Sequence, residues 1–287
     1  MIARAVCAAT LALSLTMPAQ ADPHPDAERV LAIGGSVTEI IYALGQQGRL
    51  IARDTTSSFP AEAQELPDVG YMRALSSEGV LSVKPDLILS EEGAGPPETV
   101  AILKEAGIPF ETIPSGTDAE GLTAKIEAVA EVLGVPEAAD APVEALRADL
   151  DSLAEATGNE GQPKRVMFIL SLQGGRVMAS GQGTEADAII RLAGAENAVQ
   201  GVEGYKPLTD EAITSAAPEV ILMMKRGPED SGHAVAAEAL MTNPAIAATP
   251  AIESGSVIRM DGLYLLGFGP RTGQAALDLH DAIYGGT

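Results

Sequence analysis

The sequence predicts an α/β protein: two Rossmann-like lobes with parallel sheets, joined by one long helix, with a ligand cleft between the lobes. Short apolar segments alternate with amphipathic ones, and strands separated by helices favour a parallel sheet covered on both faces. Residues 137–156 form a long amphipathic stretch without strand character. An ordered pattern occurs once on each side of that stretch, which indicates a duplicated architecture.

The first 21 residues are typical of a secretory signal peptide. Arg4 supplies positive charge, residues 5–17 are apolar or small, and Pro18-Ala-Gln-Ala21 offers a small-x-small cleavage site. The apolar run is too short to span a bilayer. The single cysteine, Cys7, lies in this segment, so the mature chain has no disulfide. We therefore expect a periplasmic protein without stable membrane insertion. A monomer is a separate expectation.

The first lobe is predicted over residues 22–136, where Gly45, Gly107 and Gly134 mark helix ends. Thr117-Asp-Ala-Glu120 matches a capping box at the start of its last helix. In chain order, we expect a strand at Arg29–Ile33, a helix at Val37–Leu44, strands at Leu50–Arg53 and Asp86–Ser90, a helix through residues 100–106, a strand at Ile108–Ile113, and a helix ending at Leu133.

The linking helix is predicted within residues 137–160, because apolar residues recur there at three- and four-residue steps. A Gly- and Pro-containing segment ending at Pro163 terminates it. The second lobe, residues 161–287, begins with a strand at Arg165–Leu170. It ends with a helix over Arg271–Tyr284, after which Gly285 follows.

The repeated pattern locates a site. Gly70-Tyr71-Met72-Arg73 precedes Glu78 and then Pro85-Asp-Leu-Ile-Leu89, while Gly204-Tyr205-Lys206 precedes Glu211 and then Pro218-Glu-Val-Ile-Leu222. Corresponding loops of two such lobes face each other across a cleft, where small ligands bind.

Charge and motifs exclude several classes of function. The formal net charge of −22 argues against nucleic acid and anionic lipid as partners. His24, His233 and His280 form no metal-spaced pair, and no Gly-x-Ser-x-Gly elbow occurs, so we expect no enzyme. Gly34-Gly35-Ser36 only partly matches a dinucleotide loop. An exported enzyme that uses a nucleotide or phosphate there stays as a remote alternative.

Tyr71 is the main candidate ligand. It follows a turn-rich segment, and Arg73 lies two residues further along. A phenol is normally protonated at neutral pH, but a nearby guanidinium favours the phenolate, which binds ferric iron and is a known haem ligand. The alternative is that Tyr71 only packs on its loop.

The segment from Pro67 to Leu87 resembles the periplasmic haem-binding proteins of haem-specific ABC importers. Their two-lobe pattern is shared with cobalamin and siderophore carriers, whereas the Gly-Tyr-x-Arg motif is specific. The similarity also includes Arg29 to Gly45, Ala179 to Gly194, Tyr205 to Leu208 and Gly267 to Arg271.

The resemblance implies a protein that captures haem and delivers it to an inner-membrane permease. Tyr71 would be the axial ligand of ferric haem, with Arg73 stabilising its phenolate. Tyr205, Lys206 and Arg226 would face the cleft from the second lobe, where the cations pair with propionates. A carrier for cobalamin or a ferric siderophore is the alternative.

The resemblance also implies that Glu78 and Glu211 dock onto arginines of the permease. The repeat predicts such a symmetric pair, and the alternative is two ordinary carboxylates at helix N-termini. Some relatives have a histidine for another haem in the second lobe, but residues 171–175 contain none. Arg271 lies at a helix start, where the dipole disfavours a cation, which suggests a specific partner.

Overall fold

The computed structural model describes residues 22–158, 161–173, 176–225 and 242–285, so the predicted signal peptide lies outside the described residues. In these ranges the strands β1 to β10 are Val30–Ile33, Leu50–Arg53, Leu87–Glu91, Phe110–Ile113, Arg165–Gln173, Arg176–Ser180, Glu196–Asn197, Tyr205–Pro207, Val220–Lys225 and Val257–Asp261. The helices α1 to α11 are Gly35–Ala43, Ser77–Ser82, Pro97–Glu105, Ala119–Val132, Asp140–Thr157, Glu185–Leu192, Asp210–Ala216, Pro244–Ala247, Pro250–Glu253, Gly262–Leu266 and Thr272–Tyr284.

The first sheet is parallel throughout, with the strand order β2-β1-β3-β4. Its central strands β1 and β3 are apolar and buried because helices cover both faces. In register, Val30 lies beside both Leu50 and Leu87. The parallel arrangement predicted for the first half of the chain is therefore confirmed.

The second sheet is mixed, which corrects the prediction of a parallel sheet. Its order is β10-β9-β5-β6-β8, and β7 pairs with β5. Strand β5 pairs in parallel with β7 and β9, and β9 pairs in parallel with β10. Strand β6, in contrast, is antiparallel to both β5 and β8. Only two residues separate Gln173 from Arg176, and a connection that short permits a hairpin but no parallel crossover.

The long helix α5 lies between the two sheets in the sequence. It begins after a 3-10 turn at Pro136–Ala139, so its α-helical start is three residues later than expected. Val143, Leu146 and Leu153 are buried as their spacing predicts, and α5 packs against α4 and α11. The lobe boundaries at residues 136 and 160 stay a prediction. In the described ranges, no helix combines the length and apolar character needed to cross a bilayer.

The cap of α4 differs from the predicted capping box. The side chain of Asp118 accepts a hydrogen bond from the backbone N–H of Gly121 at 2.8 Å, so Asp118 is the N-cap and Thr117 lies outside the helix. Aspartate satisfies the same unpaired backbone donors as threonine would. Glu120 is therefore in the first turn but is not the third helical residue that the box requires.

The two copies of the repeat occupy equivalent positions. Helices α2 and α7 are capped by Ser76 and Thr209, respectively, and each leads into a buried strand next to the first strand of its sheet. Each copy of the sequence repeat thus forms a capped short helix followed by a buried strand.

Candidate functional site

Tyr71 and Arg73 are presented by a loop that its neighbours anchor. Met72 and Leu75 are buried against the first sheet, whereas the Tyr71 side chain is 47% exposed. Gly70 has a φ of +102°, a conformation that glycine adopts without strain. The loop therefore fixes its backbone through apolar contacts and leaves the phenol and the guanidinium accessible.

Residues of the second half of the chain face this loop. Arg73 Nη2 lies 3.9 Å from Oε1 of Glu185, which is in the first turn of α6. Tyr205 opens β8, and its ring packs edge-on against Phe168 with 6.3 Å between centroids. Lys206, the next residue of the strand, is exposed. The structure thus brings Arg73, Glu185 and Tyr205 together.

Burial, followed by the negative charge of Glu185, raises the pKa of Tyr205 to about 12. Hydrogen bonds with the Thr184 side chain and the Ala186 backbone, and then the charge of Arg73, partly oppose this shift. Tyr205 is therefore a neutral phenol at physiological pH and a poor ligand for ferric iron. Tyr205 is also half-buried whereas Tyr71 is exposed, although both follow a glycine in the repeat. Arg226, the remaining predicted cation, lies outside the described residues, as does His233.

Glu39 was not predicted as a site residue, yet it is the partner of Arg271. The Arg271 guanidinium donates from Nε and Nη2 to the two Glu39 oxygens, both at 2.9 Å. The same guanidinium lies 3.5 Å from the ring centroid of Phe59 and 4.9 Å from that of Tyr264. Arg271 therefore ties α1 and the loop after β2 to the C-terminal part of the chain. The sequence signal for this contact was Glu39 itself, because it is the only charged residue of α1 and is followed by two isoleucines.

A second buried contact joins the same parts. Lys125 is 1% exposed in side-chain area, and its Nζ lies 2.7 Å from Glu91 Oε1. The ammonium also donates to Ser36 Oγ at 3.3 Å and to the Phe268 carbonyl at 3.2 Å. The spacing to Leu122 and Val129 places Lys125 on the apolar stripe of α4, which would have indicated its burial.

The glycine-rich start of α1 is filled by the chain itself. The backbone N–H of Gly34 donates to Asp54 at 3.1 Å, and that of Gly35 donates to Thr56 Oγ1 at 2.9 Å. A Cβ atom at Gly35 would lie 2.5 Å from a methyl carbon of Leu263 and 2.6 Å from the carbonyl oxygen of Thr56. The donors that would bind a phosphate are thus already used, which argues against a nucleotide site.

Two of the histidines have protein partners. His24 Nε2 lies 3.0 Å from Glu111 Oε1, and the buried His280 has its Nδ1 3.0 Å from the carbonyl oxygen of Ala193. His280 thus links the last helix to the end of α6. Within the described ranges, no cluster of three or more His, Cys, Asp or Glu residues could hold a metal ion.

Glu78 and Glu211 are both exposed and lie in the first turns of α2 and α7. A carboxylate is favoured at this position by the helix dipole. Their equivalent placement follows the repeat: each is the second residue of a short surface helix, and Asp210 adds a further carboxylate to the first turn of α7.

Comparison with known proteins adds four similarities. A model of the periplasmic binding protein family matches residues 30–263. The structure aligns, with a TM-score of 0.82 and 41% identity, with the periplasmic heme-binding protein BhuT in complex with two hemes, covering 89% of this chain and 97% of that one. The apo periplasmic heme-binding protein RhuT from Roseiflexus sp. RS-1 aligns with a TM-score of 0.84 and 34% identity, covering 90% of this chain and 98% of that one. The vitamin B12-binding protein of Yersinia pestis is 31% identical, over 75% of each chain.

Proposed function

The chain belongs to the periplasmic binding protein family, and from this premise we propose that it captures haem in the periplasm and delivers it to an inner-membrane ABC permease. The observation that carries the proposal is the exposed phenol of Tyr71, two residues before Arg73 on a loop that faces Glu185 and Tyr205. The heme-binding proteins BhuT and RhuT, at 41% and 34% identity, support the same ligand. Export of the chain with removal of residues 1–21, and a monomeric state, are parts of this proposal.

In the proposed complex, the Tyr71 phenolate binds ferric iron and Arg73 stabilises its negative charge. Lys206, exposed beside the half-buried Tyr205, and Arg226 pair with the propionates. Tyr205 keeps its proton and supplies a wall of the cleft. Burial of the porphyrin faces supplies most of the affinity, because the apolar area removed from water is large.

A haem titration followed by absorbance tests the ligand and Tyr71 together. The wild-type protein is compared with Tyr71→Phe, which removes one oxygen, and with Tyr42→Phe as a control in α1. We expect saturable binding with a tyrosinate charge-transfer band in the wild type and the control, and loss of that band in Tyr71→Phe. An unchanged band in Tyr71→Phe would assign the iron to another ligand, and no saturable binding by the wild type would refute haem as the cargo.

A cobalamin carrier is the second candidate, favoured by the 31% identity to the vitamin B12-binding protein of Yersinia pestis. Cobalamin or a ferric siderophore would occupy the same cleft. Neither complex would show the absorbance band of haem iron bound to the Tyr71 phenolate. Calorimetric titration with cyanocobalamin distinguishes the two candidates. Tight binding of cobalamin together with no binding of haem would favour the second.

We propose Glu78 and Glu211 as the contacts with the permease. Their symmetric placement fits a permease with two equivalent docking positions. Reversal of both charges to lysine should abolish haem transport in cells while leaving haem binding intact. A double variant with the same charge change at Glu144 and Glu253, exposed on α5 and α9, serves as the control. Transport that survives the Glu78 and Glu211 reversal would contradict this role.

A further inference from the structure

The pair of Arg73 and Glu185 lies where the two halves of the chain face each other. The two side chains remain 57% and 41% exposed, and 3.9 Å separates the guanidinium nitrogen from the carboxylate oxygen. Tyr205 is close enough to both residues for their charges to act on it: Glu185 raises the pKa of Tyr205 and Arg73 lowers it. A cation of the first half is thus held opposite an anion of the second half, two residues from Tyr71.

Glu185 is itself held in place by its helix. Thr184 caps α6, and its hydroxyl accepts a hydrogen bond from the backbone N–H of Asp187 at 3.0 Å. The first turn of a helix stabilises a carboxylate in its charged form. The cap therefore fixes the backbone position from which Glu185 presents its carboxylate to Arg73, 3.9 Å away.

We propose that Glu185 is a selectivity residue that disfavours anionic ligands: it pairs with Arg73 before the ligand binds, and a propionate held by Lys206 that also reaches Arg73, beside the Tyr71 phenolate, must displace it. The inference rests on the proposed function, since it concerns the same cleft. A ligand carboxylate that approaches Arg73 also approaches Glu185, and like charges repel. Glu185 therefore weakens the binding of dicarboxylate porphyrins and speeds their release, whereas it leaves neutral ligands unaffected.

The substitution Glu185→Gln tests the proposal, because it keeps the shape of the side chain and removes its charge. An exposed ion pair contributes modestly, so the variant should bind haem about two- to fivefold more tightly, mainly through slower dissociation. The gain should shrink when Arg73 is replaced by alanine in both proteins. It should also disappear when the probe is the haem dimethyl ester, which has no free carboxylates. Glu196→Gln, at an exposed position of β7, is the matched control.

Unchanged or weaker haem binding by Glu185→Gln overturns the selectivity role while haem remains the cargo. Equal tightening toward haem and its ester overturns the charge argument, because the effect would then be steric. No saturable binding of haem by the wild-type protein refutes the proposed function and this inference with it.

Discussion

Replacement of Lys125 by methionine should destabilise the protein strongly. Methionine fills a similar volume but leaves the Glu91 carboxylate, whose side chain is 16% exposed, without its ammonium partner 2.7 Å away. The Phe268 carbonyl and the Ser36 hydroxyl lose a donor as well. Breaking a buried ion pair by removing one partner costs about 3–5 kcal/mol, and partial access of water to Glu91 favours the lower end, about 3 kcal/mol.

The assay is urea unfolding followed by circular dichroism and tyrosine fluorescence, since the chain has no tryptophan. The double variant Lys125→Met, Glu91→Met is the control: with both charges replaced by unbranched apolar chains, we expect its free energy of unfolding to lie within about 1 kcal/mol of wild type. A loss below about 1 kcal/mol in the single variant, or an equally large loss in the double variant, would refute the reasoning that the unpaired charge is the cause.

The remaining predictions concern a cap, a stacked arginine and a buried phenol. Asp118→Ala should lower the free energy of unfolding by about 1 kcal/mol, whereas Thr117→Ala should leave it nearly unchanged; the reverse result would restore the capping box. Arg271→Lys should cost about 1–2 kcal/mol, measured by thermal unfolding, because lysine cannot make both hydrogen bonds to Glu39. The folded state raises the pKa of Tyr205 from 10.0 to about 12, so its stabilising contribution is complete below pH 10 and is lost as the pH rises through 12. Unfolding measured across this range should show a flatter pH dependence for Tyr205→Phe, and an identical slope would contradict the assignment.

Much of the fold follows from local patterns. The strand at Leu50–Arg53 was predicted with its observed ends, and the long helix α5 begins and ends close to its predicted limits. Burial on one face of a helix, or on both faces of a strand, leaves a periodicity that neighbouring residues record. The mixed second sheet was missed because strand direction depends on the connection after Gln173, and an apolar strand has the same pattern in either direction.

The loop bearing Tyr71 and Arg73 was also available from the sequence, since glycine, tyrosine and arginine lie within four positions. Glu185, which faces Arg73, could not be predicted from the sequence, because it lies 112 positions away from Arg73 and follows an ordinary helix cap. The repeat assigned Tyr71 and Tyr205 similar positions, but it could not show that one phenol is exposed and the other half-buried against Phe168.

Residues close together in the chain predict most strands and helices of the first half, the duplicated pattern and the tyrosine–arginine motif, because each of these leaves a local signal. Which partners the charged side chains find depends on the folded structure. Arg271 and Glu39 are separated by 232 positions and Lys125 and Phe268 by 143, yet they form hydrogen bonds. Such pairs leave no local periodicity, since their free energy depends on burial and distance that arise only when the chain has folded.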